Sequence, residues 1–303
     1  MSVFIKKHQG IKDNRSDFYF NIVVNCMLIL ALTIVLYPLY FIVIASISDP
    51  NAVNNGQVLF LPKNIGFSCY KIIFRDRDIW QGYRNTIFYT VFGTLLGLSV
   101  SLPAAYSLSR SDLIGRGWIM KYFVLTMFFG GGLIPTYLVV KSLHLTNTPF
   151  VMMILGSVSV YNIIVAKTFF ESTIPKELLE AASIDGCPNG KFFFRIVLPL
   201  SKPIVAVVTL TYAISHWNSF FNGLIYLSNQ SLYPLQLVLR EILISSQLVQ
   251  GENVDPDSIV ELMRVAGTVK YGVIIVSSLP VLIIYPFLQK YFTKGIMIGS
   301  IKG

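Results

Sequence analysis

Six long apolar runs constrain this chain more than any other feature. They cover roughly residues 22–48, 85–109, 118–140, 149–170, 203–228 and 268–292. A helix needs about 20 apolar residues to cross the hydrocarbon of a bilayer, and a membrane strand about half that. Lipid gives backbone N–H and C=O groups no partners, so runs of this length must bond internally as helices. The expectation is an all-α, polytopic, multi-pass membrane protein with six transmembrane helices. Composition agrees: of 303 residues, 54% are hydrophobic and 13% charged, with mean hydropathy +0.64. A soluble domain carries about 25% charged residues. The net charge of +9 does not imply nucleic acid, because the basic residues are scattered at the ends of apolar runs and form no solvated basic face.

Lys and Arg set the direction of threading. With the N-terminus in the cytoplasm, inside segments collect fifteen of the 24 basic residues. Lys6, Lys7, Lys12 and Arg15 precede the first run, which is too long for a signal-peptide core and reads as an uncleaved anchor. The resulting plan has a cytoplasmic segment 1–21, a first span 22–48 and an extracellular loop 49–84. A core of five spans follows over 85–292. It carries a cytoplasmic loop 171–202 and an extracellular loop 229–267. A cytoplasmic tail, 293–303, closes the chain, so both termini lie inside. The 229–267 loop begins NQSLYPLQLVLREIL, which predicts a short helix over 235–246, and turns acidic at Glu252, Asp255, Asp257 and Glu261. Cys26, Cys69 and Cys187 have no CxxC spacing and read as three unpaired thiols.

The loop 171–202 holds a polar island, EAASIDGCPNGKFFFRIVLP, at 180–199. Pro175 and Glu177, after Ser172 and Thr173, mark a helix start. Gly186 ends that helix, and Pro188-Asn189-Gly190 is a turn. A second amphipathic piece, Lys191 to Val197, leads through Leu198-Pro199 into the next run. The island therefore predicts a helix–turn–helix along the cytoplasmic face. One reading is an interfacial helix that only parks the loop. The other is a partner socket: Ala181 and Ala182 let a surface approach closely, and Glu180 and Asp185 can meet basic side chains. Gly186-x-x-x-Gly190-Lys191-Phe192 is one residue short of a P-loop and lacks its Ser or Thr. No HExxH, GxSxG or GxGxxG in strand context occurs, so no cofactor is expected in this chain.

Polar groups also fall within the apolar runs. Tyr212, His216 and Ser219 share one helical face, with Asn218 and Asn222 beside it. Leu155, Ser159 and Asn162 repeat that spacing, with Tyr161 alongside. Two such stripes can line one solute path, or they can be interhelical hydrogen-bonding glue. Phe128, Phe129, Gly130-Gly131-Gly132 and Pro135 break the third run, as a gate or as a packing bend. No Asp or Glu lies inside the six runs, which argues against a secondary transporter driven by an ion gradient. An enzyme or an assembly protein is the other rival, and three scattered histidines supply no catalytic set.

The spacing Glu180-Ala181-Ala182, three residues, Gly186, nine residues, then Ile196-x-Leu198-Pro199 resembles the EAA loop of permease subunits of binding-protein-dependent ABC importers. The resemblance spans nearly the whole chain and is closest to the carbohydrate-uptake branch and its MalG-like permeases. Arg84-Asn85-Thr86 is similar to that branch's start of the second span, and Trp217-Asn218-Ser219-Phe220 to its Trp-Asn-x-Phe motif. The stretch YPLQLVLR at 233–240 looks most like permeases described as serving lipoproteins or complex saccharides. The resemblance implies a carbohydrate importer, for an oligosaccharide, in the bacterial cell membrane; a non-sugar solute is the alternative within the family. It implies a second homologous permease, an ABC ATPase dimer holding ATP and Mg, and an extracellular solute-binding protein as partners. It also implies that Glu180, Ala181, Ala182, Asp185, Gly186, Leu198 and Pro199 form a coupling helix for the ATPase. The path residues would be Ser159, Tyr161, Asn162, Tyr212, His216, Asn218 and Ser219.

Overall fold

The computed structural model describes residues 15–248, 268–283 and 286. The regular elements among them are all helical. The acidic stretch from Glu252 to Glu261 and the tail 293–303 lie outside the described residues, as does most of segment 1–21.

Helix α1 (Arg15–Ser46) covers the first apolar run. Little of it is buried; it meets the rest of the chain through its last third, where Tyr37 and Tyr40 bond the Leu59 and Phe60 carbonyls, Phe41 packs on Tyr271, and Ile44, Ala45 and Ser46 are buried. A helix apolar all round belongs in lipid or against another chain. The short α2 (Pro50–Asn54) and α3 (Ser68–Arg75) follow. Helix α4 (Arg77–Ser109) is the second element long and apolar enough to cross a membrane. It starts well before Asn85 because Asp76 caps it, its carboxylate accepting the Asp78 N–H at 2.8 Å. The polar residues Arg77, Asp78, Gln81 and Arg84 hide these first turns from an apolar count.

The middle runs are interrupted. The third becomes α5 (Arg116–Phe128) and α6 (Leu133–Ser142), with a bend of 110° between them. The fourth becomes α7 (Pro149–Ile154) and α8 (Val160–Thr173). Next come α9 (Lys176–Ile184), α10 (Asn189–Phe192), a π-helical turn over Phe193–Val197 and α11 (Leu198–Leu200). The π turn has a cause in Pro199, which has no N–H to give the Arg195 carbonyl. The chain then turns by 87° into α12 (Lys202–Trp217). A break at Asn218-Ser219 precedes α13 (Phe220–Tyr226). The helix expected over 235–246 is α14 (Leu235–Leu248). Helix α15 (Thr268–Ile283) opens the sixth run, whose remainder lies largely outside the described residues.

Helix α4 is the axis, packed on by α7, α8, α12 and α14. One apolar cluster surrounds its C-terminal half: Leu102, Ala105 and Tyr106 meet Ile163 and Phe170 of α8, Val208 of α12, and Phe192 and Phe193. A second joins α3, the start of α4, α14 and α15 through Ile73, Ile79, Leu235 and Val273, with Trp217. Gly93 and Gly97 allow the closest approaches. A Cβ on Gly93 would lie 2.5 Å from the His216 ring, and one on Gly97 2.5 Å from the Ser157 carbonyl oxygen. Helices in lipid associate through such small-residue contacts.

Gly97→Ala therefore pushes against backbone rather than a flexible side chain. Overpacking of this kind costs about 1–3 kcal/mol, so the purified variant should melt at a lower temperature. Gly117→Ala, whose Cβ meets nothing within 4 Å, is the matched comparison and should melt no lower than the parent. Equal midpoints for the two variants would show that the Gly97 contact does not hold α4 to the break before α8.

Candidate functional site

The polar island at 180–199 folds as a cap on the cluster at the end of α4. Helix α9 ends in a reciprocal turn: the Gly186 N–H bonds the Ser183 carbonyl at 3.1 Å and the Cys187 N–H the Ala182 carbonyl at 2.8 Å. This geometry needs a left-handed residue after the helix, and Gly186 supplies it at φ +68°. Ser172 and Thr173, read from the sequence as part of the start of this helix, instead finish α8, and Pro175 precedes the first turn of α9. Because the chain turns by 87° on entering α12, the stretch from Asn189 to Leu200 runs across the axis of α12.

The two alanines of the motif part company. Ala182 is 8% exposed and packs inward with Leu179, Phe192 and Phe193. Its small size lets α9 approach its own bundle. Ala181 is exposed, with Glu180, Asp185, Gly186 and Pro199. Leu198 is half-buried. Ile184, which sequence reasoning passed over, is 87% exposed at the tip of α9. An isoleucine bare to that degree, between two free acids, is the signal that could have singled it out. Among the described residues, neither carboxylate of Glu180 or Asp185 has a hydrogen-bond partner. The outward face of α9 is thus acidic, small and tipped with one apolar side chain.

Behind this face lies a cavity of about 280 Å³, lined among others by Tyr106, Arg110, Arg116, Glu171, Lys176 and Phe192. Arg110 closes it. Its Nε donates to Asp112 Oδ1 at 2.8 Å, and Nη1 to Asn189 Oδ1 at 2.7 Å. The Arg110 hydrogen bond holds the Asp112 carboxyl below the usual carboxylate range, and Asp112 in turn pushes the guanidinium further up. Arg116 Nη1 donates to the Arg110 carbonyl at 3.3 Å and lies 3.5 Å from Glu171, which also accepts from Lys167 at 2.7 Å. Arg110 and Asn189 escaped the sequence reading because they are 79 positions apart.

The residues read as a solute path fall into two groups. Tyr212, His216, Ser219 and Asn162 are buried. Tyr212 Oη is 2.6 Å from Ser101 Oγ and accepts the Ser159 N–H at 3.0 Å. Thr211 donates to Asn162 Oδ1 at 3.2 Å, and Ser219 to the His216 carbonyl at 2.7 Å. His216, 2% exposed, fills the notch at Gly93. In this conformation Tyr212 and Asn162 bond between helices, His216 packs against α4, and Ser219 bonds locally. Tyr161 and Asn218 face outward, and Ser159 is half-buried at the start of α8. Asn218 Oδ1 lies 3.5 Å from the Gln236 amide of α14.

A second constellation gathers at the other end of α4. Asn85 Nδ2 donates to the carbonyls of Ser231 (2.8 Å) and Tyr233 (3.0 Å), and Gln81 to Ser231 (3.1 Å). Thr86 Oγ1 accepts the Leu235 N–H at 2.7 Å, and Tyr89 donates to the Leu232 carbonyl at 2.9 Å. These bonds fasten the segment leading into α14 onto α4. Trp217 Nε1 donates to the Ser277 carbonyl at 3.2 Å, tying α12 to α15.

Comparison with known proteins places the chain as a whole. Residues 79–298 match the family described as "Binding-protein-dependent transport system inner membrane component". The polygalacturonan/rhamnogalacturonan transport system permease protein YtcP of Bacillus subtilis (strain 168) is 37% identical, over 94% of this chain and 98% of that protein. Protein LplC of the same strain is also 37% identical, over 89% of this chain and 90% of its own length. A chain in the crystal structure of a bacterial ABC transporter that imports the acidic polysaccharide alginate superposes with TM-score 0.85. It is 35% identical and covers 93% of this chain and 100% of its own.

The neighbours Trp217 and Asn218 should separate cleanly on mutation. Trp217→Ala removes a buried ring and its bond to Ser277, a loss of about 3–5 kcal/mol, and should show as poor accumulation and a lower melting temperature. Asn218→Ala, on the exposed side, should leave both near the parent value. Similar losses for the two would contradict this placement.

Proposed function

The chain belongs to the family of binding-protein-dependent transport system inner membrane components, and from that premise we propose that it is a membrane-spanning permease subunit of an ATP-driven importer for an oligosaccharide. The observation that carries the reading is the near full-length identity to a polygalacturonan/rhamnogalacturonan permease. The alginate importer, 35% identical, points the same way and favours acidic oligosaccharides as the first substrates to try.

In this reading the six apolar runs are six crossings of the cell membrane, with both termini inside, and the breaks in the fourth and fifth runs keep irregular backbone off the lipid. A second permease covers outward-facing surface of this one and shares the solute path, to which Tyr161 and Asn218 contribute from the exposed side. A solute-binding protein delivers the sugar outside, where the 229–267 segment meets it. ATP and magnesium belong to a separate ATPase dimer, and no nucleotide chemistry occurs in this chain.

The face of α9 suits contact with that ATPase. Glu180 and Asp185 are charged, exposed and unpaired, which matches a basic rim on a partner. Ile184 gives the contact an apolar anchor, and Ala181 lets the partner backbone come close. The inward face, Leu179 and Ala182, is committed to the bundle. Closure of the ATPases then displaces α9 as a body, and the helices it is packed on rearrange, which is alternating access driven from outside the chain. The tail 293–303 extends the same contact.

The direct test is uptake by the reconstituted complex. Labelled oligogalacturonide should enter proteoliposomes only with binding protein, both permeases, ATPase and ATP present. Uptake by this chain without the ATPase, or uptake abolished by a protonophore at constant ATP, would favour ion-gradient transport instead. Glu180→Lys places a cation where a carboxylate meets the partner. It should cut ATP-dependent uptake by about tenfold or more, the scale of one lost charge-assisted contact, with membrane insertion unchanged. Wild-type uptake by that variant would falsify the coupling role. Cys187, half-exposed beside the α9 turn, should react with an impermeant maleimide in inverted vesicles stripped of ATPase and stay unlabelled in intact cells. The opposite pattern would reverse the topology.

A further inference from the structure

We propose that Arg110 is a positioning residue for transport: a strut that carries the displacement of the cytoplasmic island into α4. The proposal rests on the coupling reading of α9. Three observations support it.

The first is geometry. Arg110 is the residue immediately after α4, and its guanidinium forks between Asp112 and Asn189, the first residue of α10. Its side chain is only 18% exposed, although the two groups it grips, Asp112 at 60% and Asn189, face solvent. The guanidinium is planar and its donors fixed, so two bonds made at once define its position.

The second is what surrounds the fork. The apolar contacts between α9 and the bundle are non-directional, and the 280 Å³ cavity beside Leu179 and Lys176 leaves room for α9 to shift without moving α4. The Arg110–Asn189 bond lies at the start of α10, across the turn that follows α9. Motion arriving there must either break a charge-assisted hydrogen bond or move the end of α4. Arg116, bonded to the Arg110 carbonyl and near Glu171, spreads the load to α5 and α8.

The third is the other end of the same helix. Helix α4 has 33 residues, about 50 Å of rod at 1.5 Å per residue. Near its start, Gln81, Asn85, Thr86 and Tyr89 hold the 231–235 segment by side-chain bonds to backbone. One continuous helix, with Pro103 within its last two turns, is thus pinned at one end to the island and at the other to the entrance of α14. A push at Arg110 moves both.

The test uses the whole complex in proteoliposomes, reading ATP hydrolysed per sugar imported and the stimulation of hydrolysis by binding protein. A residue that only stabilises the fold would change the amount of complex but neither ratio. Asn189→Ala and Arg110→Gln should each raise ATP per sugar by about tenfold, the scale of one hydrogen bond to a charged group. Asn189→Asp, which keeps an acceptor for the guanidinium, should stay within about twofold of the parent. Exposed Asn189 makes its variants safe for folding even if Arg110→Gln assembles poorly. Glu180→Lys runs alongside. If it uncouples while both Asn189→Ala and Arg110→Gln keep the parent ratio, the strut is wrong and the coupling helix stands. If Glu180→Lys is also normal, the coupling reading fails and takes the strut with it. Loss of assembly at an unchanged ratio would assign Arg110 to packing and overturn the proposal.

Discussion

The close approach of neighbouring helices to α4 is the constraint on which the structure depends. In lipid, helices gain little from hiding apolar surface from one another, because lipid tails are equally apolar. Tight contact and satisfied polar groups must hold them instead. Gly93 receives the His216 ring, Gly97 receives the backbone of Ser157, and Gly82 lets the start of α14 lie within about van der Waals contact. The hydrogen bonds follow from that proximity. Ser101 reaches Tyr212, and Thr86 reaches the Leu235 amide, because the backbones are already near. For Ser101, Tyr212 and Thr86 the cost of burial is met across the helix–helix boundary.

The helix breaks obey the same rule. Irregular backbone exposes N–H and C=O groups, and hydrocarbon cannot satisfy them. At the break before α8, the Ser159 N–H donates to the Tyr212 hydroxyl. At the break after α12, the Asn218 N–H bonds the Ile214 carbonyl and the Ser219 N–H the His216 carbonyl. The bend between α5 and α6 differs, since Phe128 and Phe129 are exposed there. Helix α1 is likewise bare along most of its length. The chain thus spends its polar side chains inward on α4 and turns its apolar surface outward.

How much of this was legible in the sequence depends on the range of the interaction. Local chemistry read well. Gly186 ends α9 because the closing turn needs positive φ, and that requirement is visible in one residue. The helix at Leu235 was legible from an apolar pattern after Pro234. Run length predicted helices but not their continuity: Gly156, Ser157 and Asn218 interrupt runs whose average hydropathy is unaffected by one or two residues. Residues that act by long-range contact were not legible. Arg110 finds Asn189, and Asn85 finds Ser231, only once the helices are packed. The face shared by Tyr212, His216 and Ser219 was correctly read as one stripe, yet periodicity gives a stripe no destination. Nor could it show that, of Ala181 and Ala182, only the second faces the bundle.

That stripe also limits where solute can pass. A path residue must gain and lose contact with the cavity as the transporter alternates between its states. Tyr212 is held by Ser101 and by the Ser159 backbone, and His216 is seated against Gly93. Exposing either would separate α4 from α12 and leave Tyr212 Oη or the Ser159 N–H without its partner, at about 1–3 kcal/mol for each buried group. Asn218, exposed and at the edge of hydrogen-bond range from Gln236, faces no such penalty, nor does exposed Tyr161. The buried stripe is therefore built to keep α4 and α12 moving together, while Tyr161 and Asn218 stand exposed on the outward strip.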